Sequence, residues 1–195
     1  MPATKNNKSH QAILLAAKNL FWKYGIKRVT VEEICKEAAV SKMTFYRLFA
    51  NKTEVANAVL DLVITNNMEK YRNIMQQEIP FPQKIHQVVQ LKYEGTLEMS
   101  DEFFSEVYQS DDLKLKDTLL AFQRKGLEAF LADCKKAQQE GWIKNDLKPE
   151  FILYILNKIN EMLLDEKLLS MYRNTQEAIM ALTNFFFYGI TLPKD

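Results

Sequence analysis

Three helix-start signals follow one another closely between Thr30 and Glu54. Thr30 and Asn51 each precede a glutamate three residues later, which is the capping-box pattern, and Ser41 offers an N-cap between them. Because a new helix start requires that the preceding helix has ended, the second and third helices must be short. Two short helices joined by the turn Ala39-Val40-Ser41 predict a helix-turn-helix unit.

The rest of the chain also favours helices. Gly and Pro occur only five times each, and apolar residues recur at three- and four-residue steps along most segments. These patterns predict an all-α chain of roughly eight to ten helices. The predicted helices cover residues 9–24, a short stretch from 30, 42–49, 52 to before 80, 83–99, 101–108, 112–140, 150–172 and 175–188.

Charge is distributed unevenly along the chain. Residues 1–60 carry ten basic and four acidic side chains, a net charge of +6, whereas the remainder carries 16 basic and 21 acidic side chains, a net charge of −5. A basic N-terminal segment on an acidic body predicts that the N-terminal part binds a polyanion. A solvated basic face explains the charge alone equally well.

Two lysines stand where a helix dipole disfavours them. Lys42 and Lys52 each fall in the first turn of a predicted helix, where a cation costs about 0.3–1 kcal/mol. A DNA phosphate at each helix N-terminus would offset that cost, although solvation of both lysines is the simpler alternative. In the helix that contains the inward-facing Phe45, four side chains are predicted to point outward and form a reading face: Lys42, Met43, Thr44 and Tyr46.

The sequence argues against several other classes of protein. No apolar run approaches the ~18 residues that span a bilayer, and we identify no secretion signal, so a cytoplasmic location and no membrane partner are expected. Two distant cysteines fit a reducing compartment. His10 and His86 lack metal-ligand spacing, and neither a nucleophile motif nor a phosphate loop is present. We therefore expect no enzyme activity, no metal site and no cofactor.

The segment from Thr30 to Val55 resembles the DNA-binding domain of the TetR family of bacterial transcriptional repressors. The resemblance implies that the Thr30 position caps the second helix and contacts phosphate, and that residues of the third helix and the next helix start contact backbone or bases. The candidate DNA-binding residues are Thr30, Ser41, Lys42, Met43, Thr44, Tyr46, Arg47 and Lys52. The sequence departs from the family pattern at Ala39, usually glycine, at Met43, commonly small, and at Leu48, where His or Tyr is frequent.

The resemblance also implies a division of the chain. Residues 1–54 would form a three-helix DNA-binding domain, and residues 55–195 a larger helical domain for ligand binding and dimerisation. Consecutive apolar residues at 151–156 and 185–188 favour a second buried face, as in a homodimer formed through the last two helices; a wholly buried central helix is the alternative. The candidate effector-lining residues are Tyr93, Met99, Phe103, Phe104, Tyr108, Phe122, Trp142, Tyr154 and Met162.

These patterns and the resemblance together predict a double-stranded DNA-binding transcriptional regulator. The predicted mechanism is a homodimeric repressor that a small apolar or aromatic effector releases from an inverted-repeat operator. A helical protein-protein adaptor with a basic nucleic-acid-binding head is the alternative.

Overall fold

The computed structural model describes the backbone of residues 2–108 and 113–191 and the side chains of residues 7–108, 120–121 and 124–191. This described backbone is all-α, as predicted, with ten helices and no β-strand. The helices are α1 (Pro2–Tyr24), α2 (Val31–Glu37), α3 (Lys42–Leu48), α4 (Lys52–Met75), α5 (Phe81–Thr96), α6 (Asp101–Tyr108), α7 (Leu113–Gln139), α8 (Pro149–Met162), α9 (Glu166–Leu169) and α10 (Thr175–Ile190).

Several predicted helix boundaries are wrong: α1 begins at Pro2 rather than at residue 9, and α5 ends at Thr96 rather than at Met99. The single helix predicted over 150–172 is two, because the Asp165 side chain accepts a hydrogen bond from Lys167 N and starts α9. Helix α5 begins at Phe81 rather than at Gln83, with Pro82 inside its first turn. The first turn tolerates proline because its amide would have no helical partner there.

Residues Met1–Thr65 and Glu98–Leu120 form one compact unit. Phe21, Ile34 and Phe45 are fully buried in its core, which places one side chain from each of α1, α2 and α3 together. Helix α6 completes this core, with Phe103 packed against Trp22 at 4.4 Å between ring centroids. The three-helix head therefore shares its core with a helix that lies much later in the chain.

The loop between α1 and α2 is held by a side chain of α6. Gly25, at φ 79°, ends α1 in the left-handed region that glycine adopts without strain. The Glu106 carboxylate then accepts hydrogen bonds from the backbone amides of Ile26 and Lys27, the latter at 3.0 Å. These bonds fix the path along which the chain enters α2.

The second compact unit contains Asn66–Leu97 and Ala121–Asp195. Its buried core includes Phe130, Cys134, Ile143, Ile152 and Phe186. Burial raises the pKa of the Cys134 thiol to about 12. Each unit consists of two separate stretches of the sequence. The predicted domain boundary at residue 54 stays a prediction. Within the described residues, no helix is both long and apolar enough to cross a membrane.

Candidate nucleic-acid interface

Helix α2 starts at a complete capping box. Thr30 N donates to Glu33 Oε2 at 2.8 Å, and Glu33 N donates to Thr30 Oγ1 at 3.2 Å. The hydrogen bonds from Thr30 lower the pKa of Glu33 below its usual value. The predicted cap at Thr30 is thus present, and the residue remains exposed beside the turn into α2.

The turn between α2 and α3 contains a strained alanine. Ala39 adopts φ 51°, in the left-handed region that favours glycine. Its amide donates to Lys36 O at 3.2 Å, and that of Val40 donates to Cys35 O at 3.0 Å, which together form a Schellman motif. The turn therefore keeps a glycine-like conformation although alanine occupies the position.

Helix α3 starts at Ser41, whose side chain accepts a hydrogen bond from Thr44 N at 3.1 Å. The hydroxyl groups of Ser41 and Thr44 also lie 3.0 Å apart. Phe45 is wholly buried and anchors the helix, whereas Met43 is 83% exposed and Tyr46 is 56% exposed. Met43 and Tyr46 therefore point away from the core as predicted, whereas Thr44 is half-buried beside the Ser41 cap rather than exposed.

The two lysines at helix starts have partners within the chain. Lys42 pairs with Glu32 on the exposed surface, which raises the pKa of the lysine and lowers that of the glutamate. Lys52 is half-buried and donates from Nζ to Lys27 O at 2.9 Å and to Val29 O at 2.7 Å. Desolvation lowers the pKa of Lys52. These contacts offset the unfavourable interaction of each lysine with its helix dipole without a bound phosphate. The positions of the two lysines are therefore not, taken alone, evidence for phosphate binding.

Of the eight candidate DNA-binding residues, six lie in or directly before α3. Ser41, Lys42, Met43, Tyr46 and Arg47 are exposed and Thr44 is half-buried. Thr30 and Lys52 lie at the starts of α2 and α4. Exposed hydroxyl, ammonium and guanidinium groups can bind phosphates or base edges, and Met43 can contact a thymine methyl group.

The candidate effector-lining residues are divided between the two compact units, and their role in ligand binding stays a prediction. Met99, Phe103 and Tyr108 pack on the core of the first unit, and Phe104 is also buried there. Trp142 packs on the core of the second unit. The remaining described candidates, Tyr93, Tyr154 and Met162, are exposed. The side chain of Phe122 lies outside the described residues.

The second unit contains a cleft that the sequence did not indicate. Its volume is about 720 Å³, and its walls come from the end of α4, the segment 76–79, the start of α5 and the last turns of α7. Tyr71 on α4 donates from its hydroxyl to Asp133 Oδ2 on α7 at 2.6 Å. No motif predicts this cleft, because two stretches far apart in the sequence, 71–84 and 129–140, supply its polar groups.

Helices α8 and α10 expose a second apolar face. Ile152 and Phe186 are buried in the core of the second unit, whereas Phe151 and Tyr154 on α8 are at least half exposed. On α10, Phe185 is 80% exposed and Tyr188 is 78% exposed. Each exposed pair is spaced three residues apart and therefore shares one side of its helix.

The N-terminal helices match a known protein family. A model of the bacterial regulatory proteins of the tetR family matches residues 13–59, the segment that contains α2 and α3. The uncharacterized HTH-type transcriptional regulator YhgD of Bacillus subtilis is 24% identical over 149 residues, which cover 75% of this chain and 78% of YhgD.

Solved structures extend the likeness of fold to nearly the whole chain. SmeT, the repressor of the multidrug efflux pump SmeDEF of Stenotrophomonas maltophilia, superposes with a TM-score of 0.66 at 17% identity, covering 94% of this chain and 90% of SmeT. SmeT has also been solved in complex with triclosan. The regulatory protein TetR from Rhodobacter sphaeroides gives a TM-score of 0.73 at 17% identity, covering 93% of this chain and 98% of that chain.

Proposed function

Because this chain is a TetR-family transcriptional regulator, we propose that it binds an inverted-repeat operator as a homodimeric repressor and releases it when a small molecule binds. The observation that carries the proposal is the exposed side of α3, where Met43 and Tyr46 project next to the fully buried Phe45. A helix anchored by one buried ring can enter the major groove without losing its own packing.

The proposed DNA contacts divide by chemistry. Met43, Thr44 and Tyr46 face the bases, and Arg47, Ser41 and Thr30 contact the sugar-phosphate backbone. Lys42 exchanges its exposed partner Glu32 for a phosphate, an exchange that costs little because water screens an ion pair on the exposed surface. Lys52 contributes mainly by holding the carbonyl groups of Lys27 and Val29, just before the Thr30 cap.

The proposed homodimer forms through α8 and α10. Phe151 and Tyr154 on α8, with Phe185 and Tyr188 on α10, provide an apolar surface that a second copy would cover. Two copies related by a two-fold axis would present two α3 helices, which explains why the proposed operator is an inverted repeat.

Release by an effector requires that the molecule bind better to the form that misfits DNA, because equal affinity for both forms shifts nothing. Helix α4 is the proposed lever, since it begins at Lys52 in the first unit and ends at Met75 in the second. The complex of SmeT with triclosan supports a small-molecule effector for a protein of this fold. This proposal leaves the chemical class of the effector open.

Selection of binding sites from random duplex DNA with the purified protein tests the function. We expect enrichment of an inverted repeat and an affinity that falls steeply with salt, by a slope that counts the phosphates contacted. A failure to enrich any sequence above non-specific binding would overturn the proposal and favour the adaptor alternative.

A further inference from the structure

The cleft between α4, α5 and α7 has a half-buried floor that contains both signs of charge. Asp133 and Lys84 are each half-buried there, beside Met75, Ile79 and Ala129. Asp133 Oδ2 accepts the Tyr71 hydroxyl, while Oδ1 has no hydrogen bond from any described residue. Lys84 Nζ donates one hydrogen bond to Met75 O at 2.8 Å, which leaves two of its three protons for another acceptor.

The wider lining is electrically balanced. Three cationic and three carboxylate side chains line the cleft: Arg72, Lys84, Lys136, Glu78, Asp133 and Glu140. Lys136 and Glu140 lie 4.0 Å apart on the exposed rim, where an ion pair contributes little. The half-buried charges on the floor are less screened than the rim and therefore decide which ligand fits.

We propose that this cleft binds a small zwitterion, a molecule with an ammonium group and a carboxylate joined by a short apolar chain. The ammonium group would pair with Asp133 Oδ1, the carboxylate would pair with Lys84, and the apolar chain would lie on Met75 and Ile79. A ligand with only a negative charge leaves the Asp133 carboxylate without a cationic partner. A ligand with only a positive charge leaves the Lys84 ammonium group without an anionic partner. The volume of about 720 Å³ lies in the range typical of small-molecule sites.

This inference rests on the proposed function, in which the second unit receives an effector. The bond between Tyr71 and Asp133 joins α4 to α7, and both helices continue into the first unit, α4 before residue 66 and α7 before residue 121. An ammonium group paired with Asp133 Oδ1 would neutralise part of the carboxylate charge and so weaken the hydrogen bond that Oδ2 accepts from Tyr71. A zwitterion therefore acts on the contact between α4 and α7 within the second unit.

Calorimetric titration of the full-length protein with three matched probes tests the site. The probes are 6-aminohexanoate, hexylamine and hexanoate, which share a six-carbon chain and differ in charge. We expect saturable binding at millimolar concentration or below, with the zwitterion at least about tenfold tighter than either singly charged probe. Equal affinity for all three, or no saturable binding of 6-aminohexanoate at millimolar concentration, would overturn the proposal.

Two charge-removing variants sharpen the test because each can keep its internal hydrogen bond. Asp133→Asn still accepts from Tyr71, and Lys84→Gln still donates to Met75 O. Asp133→Asn should weaken 6-aminohexanoate and hexylamine but not hexanoate, whereas Lys84→Gln should weaken 6-aminohexanoate and hexanoate but not hexylamine. Glu166→Gln, on the exposed surface of α9, is the control for an unrelated charge change. A uniform loss or no loss would contradict the assigned pairing.

Binding and regulation are separated by a second measurement. Operator affinity in the presence of saturating 6-aminohexanoate measures how the ligand changes DNA binding. Calorimetry without DNA measures binding of the ligand to the cleft alone. Loss of sequence-specific DNA binding would overturn the proposed function and leave the calorimetric result standing. Absence of zwitterion binding by a protein that still selects an operator would overturn the site alone.

Discussion

The protein exposes large apolar side chains on two surfaces that differ in their surroundings. On α3, Met43 and Tyr46 stand among Ser41, Lys42 and Arg47. On α8 and α10, the exposed aromatic residues lie on helices whose opposite sides are already buried, with Ile152 and Phe186 in the core. The first surface offers hydrogen bonds and positive charge together with apolar contact, and the second offers mainly apolar contact.

This difference in surroundings indicates two kinds of partner, which the exposed fraction of the side chains alone does not distinguish. An exposed aromatic residue among donors and cations suits a polyanion with readable edges, such as duplex DNA. Exposed aromatic residues on both α8 and α10 suit another protein surface with the same composition. The predictions below test whether each surface serves one partner only.

Phe185→Asp should have the largest effect and should act on the oligomer. A carboxylate on α10 would be buried without a partner in the proposed dimer, and it would occur once in each copy. We expect the dimer dissociation constant to rise at least about 1,000-fold, equivalent to about 4 kcal/mol, in light scattering or sedimentation. Met43→Asp, at an equally exposed apolar position on α3, should leave the dimer intact. A dimeric Phe185→Asp protein would contradict the assignment of the second surface.

The double variant Lys42→Ala with Tyr46→Ala tests the other surface. Each contact contributes about 1–3 kcal/mol and occurs twice in the dimer, so operator affinity should fall at least about 100-fold in fluorescence anisotropy. The pair Lys167→Ala with Tyr172→Ala changes an exposed lysine and a partly exposed tyrosine of the second unit and should leave affinity unchanged. Equal weakening of DNA binding by the two double variants would contradict the assignment of DNA recognition to the α3 surface.

Glu106→Ala tests how much the reading surface depends on support from α6. The variant removes the carboxylate that accepts from Ile26 N and Lys27 N, and hydrogen bonds to charged groups contribute about 1.5–3 kcal/mol. We expect urea unfolding to show a loss of about 2 kcal/mol. Glu102→Ala, an exposed position on the same helix, should change stability little. Equal effects of the two variants would exclude a specific role for Glu106.

Ala39→Gly should have the smallest effect and the opposite sign. Alanine at φ 51° carries the steric cost of the left-handed region, which glycine avoids, so we expect stabilisation of up to about 1 kcal/mol. Ala38→Gly is the matched control, because Ala38 has φ −77° and glycine there removes a methyl group that packs on the core and adds unfolded-state freedom, both of which destabilise. Thermal unfolding should therefore move in opposite directions for the two variants.

Sequence reasoning worked best where a helix start is chosen by nearby side chains. Thr30 and Ser41 each accept a hydrogen bond from an amide three residues later, and both caps are visible in the sequence. At Asn51 the cap is present through Glu54 N, but the Glu54 carboxylate accepts from Ala50 N instead of completing the box. Local signals thus predicted the position of α3 and the exposure of Met43 and Tyr46, but they did not predict that Thr44 is half-buried.

Sequence reasoning worked least well where polar groups meet across long separations. The bond between Tyr71 and Asp133 joins residues 62 positions apart, and no local pattern marks either side chain. The partners of Lys52 are backbone carbonyl groups, which every residue carries and which a sequence therefore cannot single out. Aromatic residues in a helical stripe also look alike whether they fill a core, as Phe103 does, or stay exposed, as Tyr154 does.

The contact between Glu106 and the α1–α2 loop has a consequence for how the protein is made. The bond to Ile26 N spans 80 residues, and Phe103 of the same helix packs on Trp22. During synthesis, the N-terminal helices therefore leave the ribosome well before the helix that completes their core. We expect a nascent chain that ends before residue 98 to carry an open, protease-sensitive head, so operator binding would begin only once α6 has been translated.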